Sequence, residues 1–312
     1  MKEKISGYDI GDGGSHRKAE TDIVVKDEIE VIEITDCRYP ELLRHLEKDA
    51  PARLYCIGDT SILSERCVAV VGARKATQYG KKVAYNIGRK LAECGIVTVS
   101  GMAYGCDSQA HTGALDGNGK TIAVLGCGVD ICYPPKNLWL MDKIKESGLI
   151  ISEYPPGMPP LTHHFPRRNR IISGISEMTV VAEASLSSGS LITAGCAAEQ
   201  GRRVMAVPGN ITNIMSIGCN KIIQDGAFPV VRFEDITDEL GVSIKSEVLA
   251  EEISLGSDEK KIFEYIMYSG ETTVDNIALK LEMKVPQVNA VVSILEIKGL
   301  VLSDMGKIYI AK

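Results

Sequence analysis

A chain of 312 residues with 45% hydrophobic and 24% charged residues has the composition of an ordinary soluble globular protein, with length for about two domains. Its formal net charge of -6 excludes a surface coated in positive charge, so any nucleic-acid site must be a local groove. Nine scattered cysteines with no Cys-x-x-Cys pair, and no secretory leader pattern, predict reduced thiols in a cytoplasm; no apolar run nears the roughly 20 residues a membrane helix needs.

Residues 1–27, including Gly11-Asp12-Gly13-Gly14-Ser15, are polar and aperiodic and predict a flexible arm. From Glu28 the pattern sharpens: Ile29, Val31, Ile32 and Ile34 predict a strand, 40–47 a short helix and 53–57 another strand. This piece, 28–66, is too small to fold alone and is expected to extend the domain that follows, 28–234 in all. Strands are predicted at 68–71, 96–100, 121–125, 149–152, 178–182, 203–207 and 228–231. Helices are predicted over 78–94, from Asp107, across a basic run near 165–172 and over 190–200. Continuous apolar strands separated by helices imply a parallel sheet covered on both faces, with ligands beyond the C-terminal strand ends. Residues 235–256, rich in Asp, Glu and Ser, predict a linker. Three helices and a hairpin over 257–312 then outline a small C-terminal winged-helix domain.

The distinctive stretch is Leu161-Thr162-His163-His164-Phe165-Pro166-Arg167-Arg168-Asn169-Arg170-Ile171-Ile172. Its arginines crowd a helix start in an acidic chain. Arginine offers a planar fork of donors suited to phosphate, and a helix start directs N–H groups the same way. The alternative is a solvated helix start. Phe165 favours the first reading, because an aromatic beside clustered Arg suits single-stranded nucleic acid. Turns at Gly72-Ala73-Arg74, Ser100-Gly101 and Ser188-Gly189-Ser190 add to it, since glycine lets backbone approach an anion closely.

The dinucleotide fingerprint is absent, and Gly113 to Thr121 only approaches a triphosphate loop, in the wrong place relative to its strand. Asp107, Glu153, Glu183, Glu199 and His111 are catalytic candidates, yet no spacing pairs a nucleophile with a base and an orienting acid. Asp107 and Ser190 read most simply as helix caps. The expectation is a binding protein, not an enzyme, with no cofactor and no metal. The third helix of the C-terminal module, 286–298, has one Lys and no Arg, unlike a helix that reads a major groove.

Val70-Val71-Gly72-Ala73-Arg74, Val99-Ser100-Gly101-Met102-Ala103-Tyr104-Gly105-Cys106-Asp107, Phe165-Pro166-Arg167-Arg168-Asn169-Arg170-Ile171-Ile172 and Ser188-Gly189-Ser190-Leu191-Ile192-Thr193-Ala194 together carry a resemblance. From about Ile32 to Asp235 the sequence resembles the DNA-processing protein A family (DprA, also called Smf). The resemblance implies a Rossmann-like domain that binds single-stranded DNA, forms a homodimer and loads a RecA-type recombinase onto incoming DNA during transformation. Carried over by residue, it implies that Gly72, Arg74, Gly101, Ser188, Gly189 and Ser190 hold phosphates. Arg167, Arg168, Asn169 and Arg170 would line the same groove, and Phe165 would meet a base. Tyr104 departs from the pattern, standing where the family often has Arg, and Gly209-Asn210 replaces the usual Gly-Ser. A Rossmann-like nucleotide hydrolase of the cytokinin-activating type is the alternative; its Pro-Gly-Gly-x-Gly-Thr-x-x-Glu signature is absent. A purely protein-binding scaffold would leave the Phe165 to Arg170 run unexplained.

Overall fold

The computed structural model describes residues 28–242, 256–304 and 306–310, which fall into two compact units divided after Ser243. The predicted flexible arm, 1–27, and most of the predicted linker, 243–255, lie outside the described residues.

In the first unit the elements run β1 (Glu30–Glu33), α1 (Glu41–Arg44), β2 (Arg53–Gly58), β3 (Cys67–Val71), α2 (Gln78–Glu93), β4 (Val97–Ser100), α3 (Cys106–Asp116) and β5 (Thr121–Val124). They continue with α4 (Leu138–Ser147), β6 (Leu149–Ser152), α5 (His164–Gly174), β7 (Met178–Val181), α6 (Ser190–Glu199), β8 (Arg203–Ala206), α7 (Ile217–Gln224), β9 (Phe228–Pro229) and α8 (Glu234–Glu239). All nine strands join one sheet in the order β1-β2-β6-β5-β4-β3-β7-β8-β9. From β6 to β9 every pairing is parallel, whereas β2 pairs antiparallel with both β1 and β6. The expected parallel sheet is therefore Rossmann-like with an antiparallel edge, and the 28–66 extension forms that edge. The chain reverses direction of winding between β3 and β7, the position at which such sheets open a crevice.

Burial follows the two-residue period of a strand. Cys67, Ala69 and Val71 of β3 face one core with Ile171, Ile172, Ala194 and Cys219 from α5, α6 and α7. Val68 and Val70 face the opposite core with Val83, Ala84, Ile87 and Leu91 of α2 and Ala110 of α3. Both faces are thus covered by helices, which is why the strands read as unbroken apolar runs. Thr77 caps α2 by accepting the Gly80 N–H at 3.1 Å.

Three helices escape a reading by pattern. Helix α4 buries Leu140, Met141 and Ile144 but exposes Leu138 and Trp139, which blurs its period, and α7 buries only Gly218 and Cys219. Helix α8 corrects the start of the predicted linker: Glu234 pairs with Lys90 at 3.4 Å and Glu239 with Arg203 at 2.6 Å, while Ile236 docks in the second core beside Phe233, Leu240 and Val242. One buried isoleucine on a charged turn is too weak a signal to see in sequence. No helix among the described residues is long and apolar enough to cross a membrane.

The second unit contains α9 (Ser257–Ser269), β10 (Glu271–Thr272), α10 (Val274–Leu281), α11 (Val285–Ile297), β11 (Val301–Asp304) and β12 (Lys307–Ile310). The strands form an antiparallel sheet in the order β10-β12-β11, and Ile262, Ile266, Ile277, Val288, Leu295, Val301 and Ile308 form its core. The short β10, which adds a third strand to the expected hairpin, was not apparent from two residues of sequence.

Candidate nucleic-acid interface

The crevice at the β3/β7 switch point is a cleft of about 490 Å³. One wall is the turn after β3, Gly72 to Lys75; the other is the Ser185 to Ser190 turn that leads into α6; Phe165 and Asn169 of α5 close it. Gly72 is required by packing, since a Cβ there would stand 2.5 Å from the Cys106 side chain. The start of α3 can approach β3 only over a bare backbone.

The α6 turn is preorganised. Ser185 donates its N–H to the Ser188 hydroxyl at 2.9 Å, and Leu191 and Ile192 donate to the Ser188 and Gly189 carbonyls at 3.1 Å each. Gly189 sits at the N-cap in right-handed helical conformation, φ -62, with open space where a Cβ would stand. Ser190 is therefore the first helical residue and not the predicted cap. It is 7% exposed, lines the cleft, and its buried hydroxyl has no hydrogen-bond partner. A buried hydroxyl without a partner costs free energy unless a ligand or water supplies one. At a helix N-terminus, an anion would fit that need best.

The basic run separates into residues with different positions. Arg168, expected in the groove as a phosphate contact, is 4% exposed. Its guanidinium donates to Gly101 O at 2.9 Å, to Val124 O, and to Asn169 Oδ1 at 3.3 Å. It thereby ties α5 to the C-terminal ends of β4 and β5. Burial pulls its pKa down to about 10, with the Asp107 charge opposing that shift. Asp107 lies on the cleft floor within the first turn of α3, behind a Gly105 N-cap, so it is not the cap expected. Burial raises its pKa, while the Arg168 charge and backbone N–H groups of Ala103 and Gly72 hold it down. Gly101 serves Arg168 too, since a Cβ there would lie 2.5 Å from the guanidinium. Arg168 and Gly101 thus hold each other in place at the cleft floor, with Arg168 lining the cleft from below. Asn169 extends the link by donating its amide to Gly189 O at 3.3 Å, joining the buried arginine to the α6 turn.

Arg170 and Arg167 leave the cleft altogether. Arg170 pairs with Glu153 at 2.7 Å in a largely buried contact, and exposed Arg167 approaches the same carboxylate at 3.6 Å. Residues three apart share a helix face, so Arg167 and Arg170 turn together toward Glu153 while Arg168, about 100° further round, turns inward. The residues the sequence reading did not assign to the groove are Lys75, Thr162, Ser185 and Thr193, which line the cleft, and Tyr133. Only Lys75, adjacent to Arg74, carried a signal in sequence.

Phe165 is half-buried. The Arg74 guanidinium stands 5.6 Å from its ring centroid, and Tyr133 packs at 5.2 Å, tilted by 34°. The remaining acid/base candidates are dispersed. Glu183 accepts from Thr77 N at 2.7 Å and Thr77 Oγ1 at 2.6 Å, anchoring the start of α2, and Glu199 is exposed on α6. His111 is fully buried, with Nδ1 2.6 Å from Thr121 Oγ1. Among the described residues no group of three or more His, Cys, Asp or Glu could hold a metal ion.

Comparison with known proteins agrees with this geometry. Residues 30–241 match the family model described as DNA recombination-mediator protein A. The chain is 38% identical over 260 residues to a putative DNA processing protein DprA of Mycobacterium tuberculosis, covering 80% of this chain and 66% of that relative's length. It is similar in structure to DNA processing protein A from Streptococcus pneumoniae, with TM-score 0.65 and 43% identity over 68% of this chain and 74% of that one. It is also similar to DNA processing protein A from Helicobacter pylori, whose structure addresses a single-stranded DNA binding mode. There the TM-score is 0.63 with 31% identity over 69% of this chain and 96% of the other. With the family match spanning the whole sheet and the cleft at its switch point, this chain belongs to the DNA recombination-mediator protein A family, the DprA or Smf proteins.

Proposed function

We propose that this chain binds single-stranded DNA in the switch-point cleft, works as a homodimer in the cytoplasm, and hands DNA to a RecA-type recombinase during transformation. The observation that supports this reading is the pairing of the α6 turn, where the buried Ser190 hydroxyl has no protein partner, with Arg74 and Lys75 across the same cleft. Oriented hydroxyl and backbone donors suit a phosphate, and arginine neutralises its charge without reading sequence. The Helicobacter pylori relative's single-stranded DNA binding mode points the same way. Gly72, Arg74 and Ser188 to Ser190 would meet the strand, while Arg168 and Asn169 would hold the turn in place. The role is binding and delivery, with no chemical step assigned to Glu153, Glu183 or Glu199.

The C-terminal unit is read as a winged-helix module, with 28–234 extended by α8 as the DNA-binding domain. Its α11 exposes Ile294 and Ile297 and has no Lys or Arg between Val285 and Ile297, so its outer face suits protein and not phosphate. The test is fluorescence anisotropy with labelled single-stranded and duplex oligonucleotides across a salt series. Single strands should bind in preference, with a log–log salt slope of roughly −2 to −3 if three or four phosphates are neutralised. Equal affinity for duplex, or binding indifferent to salt, would overturn the reading.

A further inference from the structure

Beside the cleft lies a second, smaller recess of about 60 Å³ that shares Arg74, Ala103, Phe165 and Arg168 with it and none of the α6 turn. The recess is rimmed by Tyr104 and Tyr133. These rings are 41% and 40% exposed, although both come from turns that follow buried strands. Single exposed aromatics are ordinary on a soluble protein, but two around one recess beside a cation are a surface with a chemistry. The recess is too small to enclose a nucleobase, yet its rim offers flat rings on which one could lie.

Phe165 is poorly placed to be that platform. Its ring is approached by the Arg74 guanidinium at 5.6 Å and by Tyr133 at 5.2 Å. Its edge also lies against Gly126, where a Cβ would come within 3.0 Å of Phe165 Cδ1. Tyr133, the more exposed of the two packed rings, is the outer layer, and Phe165 is its support. Arg74 lines both cavities, so a strand whose phosphate meets Arg74 at the cleft would carry its adjoining base toward the tyrosines.

We propose that Tyr104 and Tyr133 form a base-stacking shelf that continues the DNA track out of the phosphate cleft, with Phe165 beneath it. This rests on the reading of the cleft as a single-stranded DNA site. The ligand chemistry is an unpaired nucleobase beside a backbone phosphate: tyrosine supplies the stacking surface and Arg74 the counter-charge. Stacking is tolerant of sequence, because every base has a π-face, but it demands a base released from its partner. The shelf therefore selects single strands over duplex, while the cleft responds only to phosphate.

The test uses the full chain and two labelled oligonucleotides of equal length, one of thymidine residues and one of abasic residues with the same phosphates. Wild-type protein should bind the base-bearing strand more tightly. Tyr104→Ala and Tyr133→Ala should each lower that affinity roughly 5- to 150-fold, the range for one lost stacked base, and change abasic binding by no more than about twofold. Tyr104→Phe and Tyr133→Phe should keep wild-type affinity, because the ring and not the hydroxyl is required. The salt slope should not move in any of these variants, as no phosphate contact is lost. Equal losses on both oligonucleotides, or no loss on either, would overturn the shelf. Loss of both affinities in Arg74→Ala, with tyrosine variants unchanged, would leave the cleft intact as a DNA site and overturn the shelf alone. A wild-type protein that binds neither oligonucleotide would overturn the cleft reading and the shelf with it.

Discussion

The sheet of the first unit carries a cavity at each end, of nearly the same size and opposite electrostatic state. The cleft at the C-terminal strand ends holds about 490 Å³, and a polar pocket at the N-terminal ends holds about 480 Å³. The lower pocket is lined by Glu177, Arg202, Arg203 and Glu239. Most of its charges are paired: Arg203 pairs with Glu239 at 2.6 Å and Arg66 grips Glu177 through two bonds of 2.7 Å, while Arg202 donates to Leu42 O at 3.0 Å and keeps a buried Nε without a partner. In the upper cleft the Arg74 guanidinium lies over an aromatic ring, with only the charge of buried Asp107 acting on it from the floor, and the Ser190 hydroxyl has no partner. Volume does not distinguish the two. The partner of the exposed cation does, because an incoming phosphate would have to displace Glu239 from Arg203 at one end, whereas Arg74 makes no carboxylate ion pair among the described residues at the other.

The largest effect expected on this comparison is structural. Arg168→Ala would leave Asp107 buried without its opposing charge and free two strand-end carbonyls, at a cost of about 3–5 kcal/mol of folding stability. Urea denaturation measures it; a variant with wild-type stability would show that the upper end does not depend on the buried arginine.

A second expectation concerns His111, which faces Thr121 at the start of β5. Thr121 Oγ1 donates to Thr98 O at 2.7 Å, so Nδ1 of His111 is the donor in their 2.6 Å contact. Its Nε2 is then buried without a partner. Burial pushes the His111 pKa down to about 3, from an ordinary value of 6.5. Between those values the unfolded chain holds one proton more than the folded chain. Stability should therefore be unaffected by this group above pH 6.5 and fall by about 1.4 kcal/mol per unit as pH drops below it. His111→Gln should flatten that slope in denaturation series at about pH 7, 6 and 5; an unchanged slope would refute the assignment.

Arg74→Ala should weaken single-stranded DNA binding by about tenfold and make the salt slope shallower by about 0.7, with little change in melting temperature. The matched change at the lower end, Arg203→Ala, should leave DNA affinity unaltered and alter stability by no more than about 1 kcal/mol, since its pair is partly exposed. Parallel anisotropy and melting curves on the two variants test the comparison directly. Smallest of all should be removal of residues 257–312, which is expected to leave single-stranded DNA affinity within about twofold. A large loss in a folded truncation would assign DNA contacts to the C-terminal unit.

Much of this was legible in the chain. Unbroken apolar strands such as Cys67–Val71 announced a sheet covered on both faces, Gly72 and Gly189 marked the turns that meet beyond its edge, and Arg74 was identified from its place after a strand. What local pattern could not decide was how cations are spent. Arg167, Arg168 and Arg170 look equivalent in sequence. Helical rotation sends Arg168 inward to Gly101, 67 residues away, and Arg170 to Glu153, 17 residues away. The same holds for Tyr133, which reaches Phe165 only because β5 and the α5 start are brought together. Sequence by itself determined the periodicities, the turns and the inventory of charge, because those depend on neighbours along the chain. The strand order decided which charges are paired and which face the cleft, because pairing energy depends on distance and burial, and both are set by residues remote in sequence.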